Sequence, residues 1–186
     1  MMTKQERIKK FWAIFDRTSF QKIVTVEFGD WLKENGFFDA PASTTHHGNY
    51  EGGLFDHSLT VAFELARYTS CMNIRWQRPE SPFIVGVFHD LCKIDEYRHN
   101  DPESILTGDD VWKKSDDCIL KGHGDKSVML LSRFMTLTEE ELLCIRFHMG
   151  AYQTDDWNSY GKAIEKYQTV LFTHTADMYA ARVKGV

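Results

Sequence analysis

His89 and Asp90 stand side by side directly after the apolar run Phe83-Ile84-Val85-Gly86-Val87-Phe88. Buried without partners, a neutral polar group costs ~2–7 kcal/mol and a charged one more, so something must satisfy this pair. Four further residues of the same chemical type fall at core-facing or helix-end positions: His57, His123, His148 and Asp177. All six are metal-competent, and together they offer nitrogen and oxygen donors with no thiolate. Such a set suits a catalytic divalent ion that keeps open positions for water: manganese, iron, cobalt, nickel, magnesium or zinc. Taken singly, each residue has an ordinary explanation. A lone histidine on an apolar stripe is more often a satisfied core residue than a ligand, and a His-Asp pair at a helix end is more often simply hydrated. The expectation of a metal site rests on the six meeting in space.

The elements that would bring them together read as helices. Residues 3–35 predict two helices with a boundary near Thr18 or Ser19, the second running from Ile23 to Lys33 and stopped by Gly36. Residues 37–53 are rich in turn formers and predict a loop that carries His46 and His47. These two are either solvated or face a substrate, because loops carry function disproportionately. From Leu54, the positions of His57, Val61, Leu65 and Tyr68 follow one helical face and put His57 on the apolar stripe. Ser81-Pro82 predicts a capped helix start, with a helix over 82–92 that delivers His89 and Asp90 near its end. Gly86 inside it predicts close approach of another helix, since glycine otherwise costs about 1 kcal/mol there.

Residues 95–122 predict loops around one short helix, with Gly122-His123-Gly124 as a tight turn ahead of a further helix. Thr138 and Glu141 form a capping box for a helix that Gly150 ends, with His148 in its last turn. Tyr152 to Tyr160 reads as a polar loop whose aromatics either pack or stack on a base. A last helix is expected from about Gly161 to Arg182, with His174 and Asp177 on its stripe; an inner-face carboxylate there needs a partner. No hairpin signal or internal repeat is visible. The expected fold is all-α, a single-domain bundle of six to eight helices, an architecture that builds metal sites from facing helices.

Composition narrows the function classes. At 186 residues, with 42% hydrophobic and 26% charged residues, the chain matches an ordinary globular domain with a sizeable core. The net charge of −5 argues against a broad nucleic-acid surface, which needs an excess of Lys and Arg. The four cysteines, Cys71, Cys92, Cys118 and Cys144, form no Cys-x-x-Cys pair, so a zinc ribbon is not indicated. Scattered cysteines and the lack of a signal peptide predict a cytoplasmic protein. No apolar run approaches the roughly 20 residues of a membrane span, so no membrane association is expected.

The order His57 … His89-Asp90 … Asp177 resembles the signature of the HD-domain metal-dependent phosphohydrolase superfamily. Gly52-Gly53-Leu54-Phe55-Asp56-His57-Ser58-Leu59-Thr60-Val61-Ala62 resembles that family's first-histidine helix, His89-Asp90-Leu91-Cys92-Lys93-Ile94 its His-Asp-x-x-Lys segment, and Thr175-Ala176-Asp177 its closing aspartate. The resemblance covers most of residues 46–182. It implies an HD phosphohydrolase domain over 41–186, with residues 1–40 as an N-terminal helical extension packed on its core. His46-His47-Gly48-Asn49-Tyr50 is most similar to the HD domain of bacterial 3′–5′ exoribonucleases, whose separate nucleic-acid-binding domain has no room in 186 residues.

The resemblance also implies roles. His57, His89, Asp90 and Asp177 would hold a first ion and His123 and His148 a second, with Asp90 bridging; one or two divalent ions are expected. Asp90 and Lys93 are the expected catalytic pair, Lys93 also meeting phosphate together with His46 and His47, and His174 orienting a ligand. The expected activity is hydrolysis of a phosphate ester of a nucleotide or similar small substrate by metal-activated water. Two other readings stay open: a phosphodiesterase acting on short single-stranded RNA or cyclic nucleotides, and a non-catalytic regulatory module that binds metal or nucleotide. Substrate identity and oligomeric state are not legible.

Overall fold

The structure, a computed structural model, describes residues 2–17, 19–108, 110–150 and 157–186. It is mostly helical. Helix α1 spans Lys4–Phe15, α2 Val26–Glu34, α3 Gly53–Cys71 and α4 Ser81–Phe88, followed by a 3₁₀ turn at Leu91–Ile94. A two-stranded antiparallel ribbon pairs β1 (Tyr97–His99) with β2 (Trp112–Lys114), and the short helix α5 (Pro102–Leu106) lies between the strands. Helices α6 (His123–Leu131), α7 (Glu139–Arg146), α8 (Trp157–Lys166) and α9 (Thr169–Tyr179) complete the bundle, with a π turn at Ala180–Lys184. Among the described residues no helix is long and apolar enough to cross a membrane, and no disulfide forms.

Local chemistry sets the helix starts. Thr3 and Glu6 form a capping box on α1, Thr25 caps α2, and Thr138 with Glu141 forms the expected capping box on α7. Burial then assembles the bundle around phenylalanine rings. Phe88 sits 5.2 Å from Phe28, 5.5 Å from Phe15, 6.1 Å from Phe37 and 6.3 Å from Phe11, ring centre to ring centre. The residue just before His89 is thereby held by four aromatic neighbours from the first 40 residues.

Two close approaches set the helix geometry around the polar residues. A Cβ at Gly86 would overlap the main chain of Ala62, so α4 lies directly against α3, as the sequence predicts. A Cβ at Gly124 would overlap the Arg146 carbonyl, which brings the start of α6 against the end of α7. Two buried carboxylates fasten α7 to its surroundings. Glu141 accepts from the Arg78 guanidinium at 2.7 and 2.6 Å and from Ser81 Oγ at 2.8 Å. Glu140 accepts from the Gln77 N–H and from Thr169 Oγ1, both at 2.6 Å.

Several sequence expectations are corrected here. Ser81 does not cap α4; it is already helical, and its hydroxyl goes to Glu141 instead. The helix expected over 82–92 ends at Phe88, with the chain tightening into a 3₁₀ turn after Asp90. The second helix starts at Val26 because Thr25 caps it, leaving the β-branched Val24 outside. His123 opens α6 rather than preceding it, and His148 lies just beyond α7. The single long C-terminal helix is broken between Lys166 and Thr169, where Tyr167 donates to Glu139 and Thr169 to Glu140. Those side-chain anchors redirect the backbone at a point where the 3.6-residue pattern continues unbroken. Of the expected 152–160 loop, residues 152–156 lie outside the described residues and Trp157–Tyr160 is helical. The ribbon was not expected, being two three-residue strands of mostly polar residues, with the His99 and Trp112 rings tilted against each other at 3.9 Å, centre to centre. Nine α-helices are present among the described residues, one more than the upper bound expected.

Gly86→Ala is expected to destabilise the protein by about 1–3 kcal/mol, because the α3–α4 contact has no room for a methyl group. Urea unfolding of the two proteins measures the difference; equal midpoints would show that the helices are not this close.

Candidate metal centre

The close contacts described above converge on one buried polar cage. α3 supplies His57, the end of α4 supplies His89 and Asp90, the 3₁₀ turn supplies Lys93, α6 supplies His123, the exit of α7 supplies His148, and α9 supplies Asp177. His57, His89 and His148 are fully buried, and Asp90 is 2% exposed. His57 Nε2 lies 3.1 Å from Asp177 Oδ1 and 3.3 Å from His89 Nε2. All six metal-competent residues read from the sequence are therefore brought together, with His123 at the half-exposed rim.

The ring orientations have a shared cause. His57 Nδ1 donates to the Val186 main-chain oxygen at 2.9 Å, His89 Nδ1 to the Gly86 carbonyl at 2.9 Å, and His148 Nδ1 to the Ile145 carbonyl at 2.7 Å. A carbonyl oxygen only accepts, so each Nδ1 carries the hydrogen and a neutral ring points its Nε2 lone pair inward. This is the arrangement of outer hydrogen bonds that orients imidazole ligands at metal sites. His174 Nδ1 donates to the His148 carbonyl at 2.8 Å, so His174 holds the main chain of the His148 segment.

Asp90 occupies the centre. Its Oδ2 faces Lys93 Nζ at 2.7 Å, His89 Nε2 at 3.5 Å and His57 Nε2 at 3.7 Å. Its Oδ1 faces the other way, 3.3 Å from His148 Nε2 and 3.7 Å from His123 Nδ1. The Asp90–His148 approach is not aligned for a hydrogen bond, and both atoms are buried with no hydrogen bond among the described residues. Orphaned buried polar atoms of this kind are rare in folded proteins and point to a missing partner. A cation fits between a carboxylate oxygen and an imidazole lone pair, because both offer it an electron pair. The residues present therefore suit a divalent ion.

Electrostatics agree with the geometry. Burial opposes ionisation of Asp90, but the Lys93 ammonium and then His89 outweigh it and hold the carboxyl well below the usual range. Asp177 is likewise held low, burial being overcome chiefly by His57. Burial pushes His89 down to about 4, which keeps it neutral near pH 7. For His148 burial acts downward, yet Asp90 prevails and raises it above the ordinary histidine value. Lys93 is raised in the same way: burial acts against its charge and Asp90 overrides it.

The two loop histidines separate. His47 tucks in with its ring centre 5.1 Å from that of His57, and burial, then His57 and Lys93, push it down to about 4. His46 is exposed and its ring bonds to Thr45 Oγ1 at 2.7 Å, so the structure does not bring it into the cage. Two neighbours were not anticipated. Cys92 Sγ lies 3.5 Å from His123 Nδ1 and completes a third metal-competent group with Asp90. Glu96 Oε1 lies 3.9 Å from His123 Nε2. Cys92 was readable two residues past Asp90, and burial raises its thiol.

No family model matches the chain, and no match was found among curated proteins or solved structures.

Two outcomes follow. Because Asp90 raises His148, its proton competes with a metal; affinity for manganese should tighten as pH rises through and above the ordinary histidine range, with proton release on binding. Titration calorimetry in buffers of different ionisation heat reads that release directly, and no released proton would rule out His148 as a ligand. Lys93→Met leaves Asp90 as an uncompensated buried charge and should cost the metal-free fold about 3–5 kcal/mol. Much of that loss should return when manganese is added; a loss unaffected by metal would separate Lys93 from the cage.

Proposed function

We propose that this chain is a metal-dependent phosphohydrolase of the HD-domain type, cleaving a phosphate ester of a nucleotide or similar small substrate. One observation carries the reading: the two oxygens of a single buried carboxylate, Asp90, face two separate sets of imidazole nitrogens, His57 and His89 on one side and His148 and His123 on the other. That is the placement required of a group shared between two cations. Asp177 closes the first set through its approach to His57 and His89.

The chain's own residues divide the work. His57, His89, Asp90 and Asp177 would hold one ion, and Asp90, His148 and His123 a second. When bound, such ions lower the pKa of water toward neutrality and neutralise charge building on a phosphoryl oxygen. Lys93 keeps a full positive charge beside Asp90 in a buried setting, where it can donate to a phosphate oxygen at little reorganisation cost. His47 remains neutral near pH 7 beside His57, so it offers one donor and one acceptor to a bound ester. His174 keeps the His148 main chain in place through its carbonyl. The nitrogen–oxygen donors favour manganese, iron, cobalt, nickel, magnesium or zinc over ions that seek thiolate.

The test uses protein stripped with chelator and reloaded with manganese. Two ions per chain are expected by elemental analysis, together with hydrolysis of p-nitrophenyl phosphate or of its bis ester, which distinguishes monoesterase from diesterase. Asp90→Asn should reduce the rate by ~10³-fold, and His123→Ala should lower the metal content to one ion. Full metal content with no hydrolysis of either compound or of a nucleotide panel would replace the enzyme with a binding module.

A further inference from the structure

Beside the cage lies a cavity of about 490 Å³, in the size range of small-molecule sites. Cys92 and His123 form the part of its lining nearest Asp90. The lining also takes in β2 and the loop before α6, which carry Lys114 and Lys121. Both lysines are exposed, and neither forms an ion pair among the described residues. A third, Lys126, is buried and already committed: its ammonium pairs with Asp95 and lies 3.1 Å from Cys118 Sγ. Of the carboxylates in the lining, Asp116 is taken up by Arg98 at 2.6 Å and Glu96 faces His123.

The result is a local reversal of charge. The chain as a whole carries a net charge of −5, yet this cavity presents two ammonium groups with no ion pair among the described residues. Gly122, also in the lining, is the N-cap of α6 and offers no side chain to its first turn. Concave walls of one charge concentrate ligands of the other. Where the lining meets His123 the cavity thus suits a phosphoryl group held by ions, and its lysines suit a further anion.

We propose that Lys114 and Lys121 form a second anion subsite, so that the substrate is a nucleotide carrying two separated phosphoryl groups. The assignment of the first phosphoryl group rests on the function proposed above; the lysine subsite rests on the cavity and its charges alone. The two lysines would act as specificity-determining residues and would contribute to binding without taking part in bond breaking. A plain monophosphate engages only the cage end, and a bisphosphate engages both.

The experiment compares wild type with the double variant Lys114→Ala/Lys121→Ala, both positions being exposed and outside the core. With manganese bound, KM for adenosine 3′,5′-bisphosphate should rise about tenfold in the variant while kcat stays unchanged. KM for adenosine 5′-monophosphate should not move. A separate readout needs no catalysis: chelator-treated wild type should bind inorganic pyrophosphate by calorimetry, weakening with added salt, and the variant should not. That pattern supports the subsite even where no hydrolysis is detected. Equal pyrophosphate binding by the two proteins, or binding by neither, overturns it, and the phosphohydrolase reading then stands or falls on its own assay. Equal loss of KM for both nucleotides would also overturn it, because the lysines would then serve the cage and not a second group.

Discussion

Everything in this structure turns on keeping the Asp90 carboxylate charged in a place where water does not reach. Moving an isolated carboxylate into a protein interior is prohibitively unfavourable, and only close opposite charge with well-directed donors makes it tolerable. Lys93, one 3₁₀ turn later, provides that charge at 2.7 Å. It neutralises only one oxygen. The other faces His148 and His123 with no hydrogen bond among the described residues, so their side chains leave half of the group unanswered. Such an imbalance suits a cation, and the imidazoles ranged around both oxygens could hold one.

The rest of the bundle serves to hold those imidazoles still. His89 follows a phenylalanine locked by four other rings, and its Nδ1 is tied to the carbonyl one turn back. His57 reaches it only because α3 and α4 touch through a glycine. His123 and His148 meet through a second such contact, between Gly124 and Arg146. The buried Glu140 and Glu141 lock α7 to the connection before α4 and to α9, which keeps His148 and Asp177 in register. Ring orientation, helix spacing and charge are thus three consequences of one packing arrangement.

Much of this was legible in the chain itself. His57 on an apolar stripe, the glycine that demands a neighbour at position 86 and the Thr138–Glu141 box are local patterns, and local patterns survive folding. The convergence of six polar residues could be expected from their chemistry, since each would be costly alone. Other features depend on distant partners. Ser81 looks like a cap until Glu141 arrives, and the break between Lys166 and Thr169 comes from anchors on α7 that no helical period records. Which of His46 and His47 turns inward is decided by a loop of glycines and small residues, where one step along the chain reverses the direction of a side chain. The ribbon of β1 and β2 is too short for an alternating pattern to show.

The segment from Asp95 to Gly122 differs in kind from the rest. Among its described residues Trp112 alone is buried, whereas the cage is carried by helices whose side chains fill the core. A substitution in the cage therefore disturbs the core as well as the cage. Most positions of the ribbon and its loops lie outside the core and several of them line the cavity, so the shape and charge of that lining can change while the packing of the bundle stays as it is.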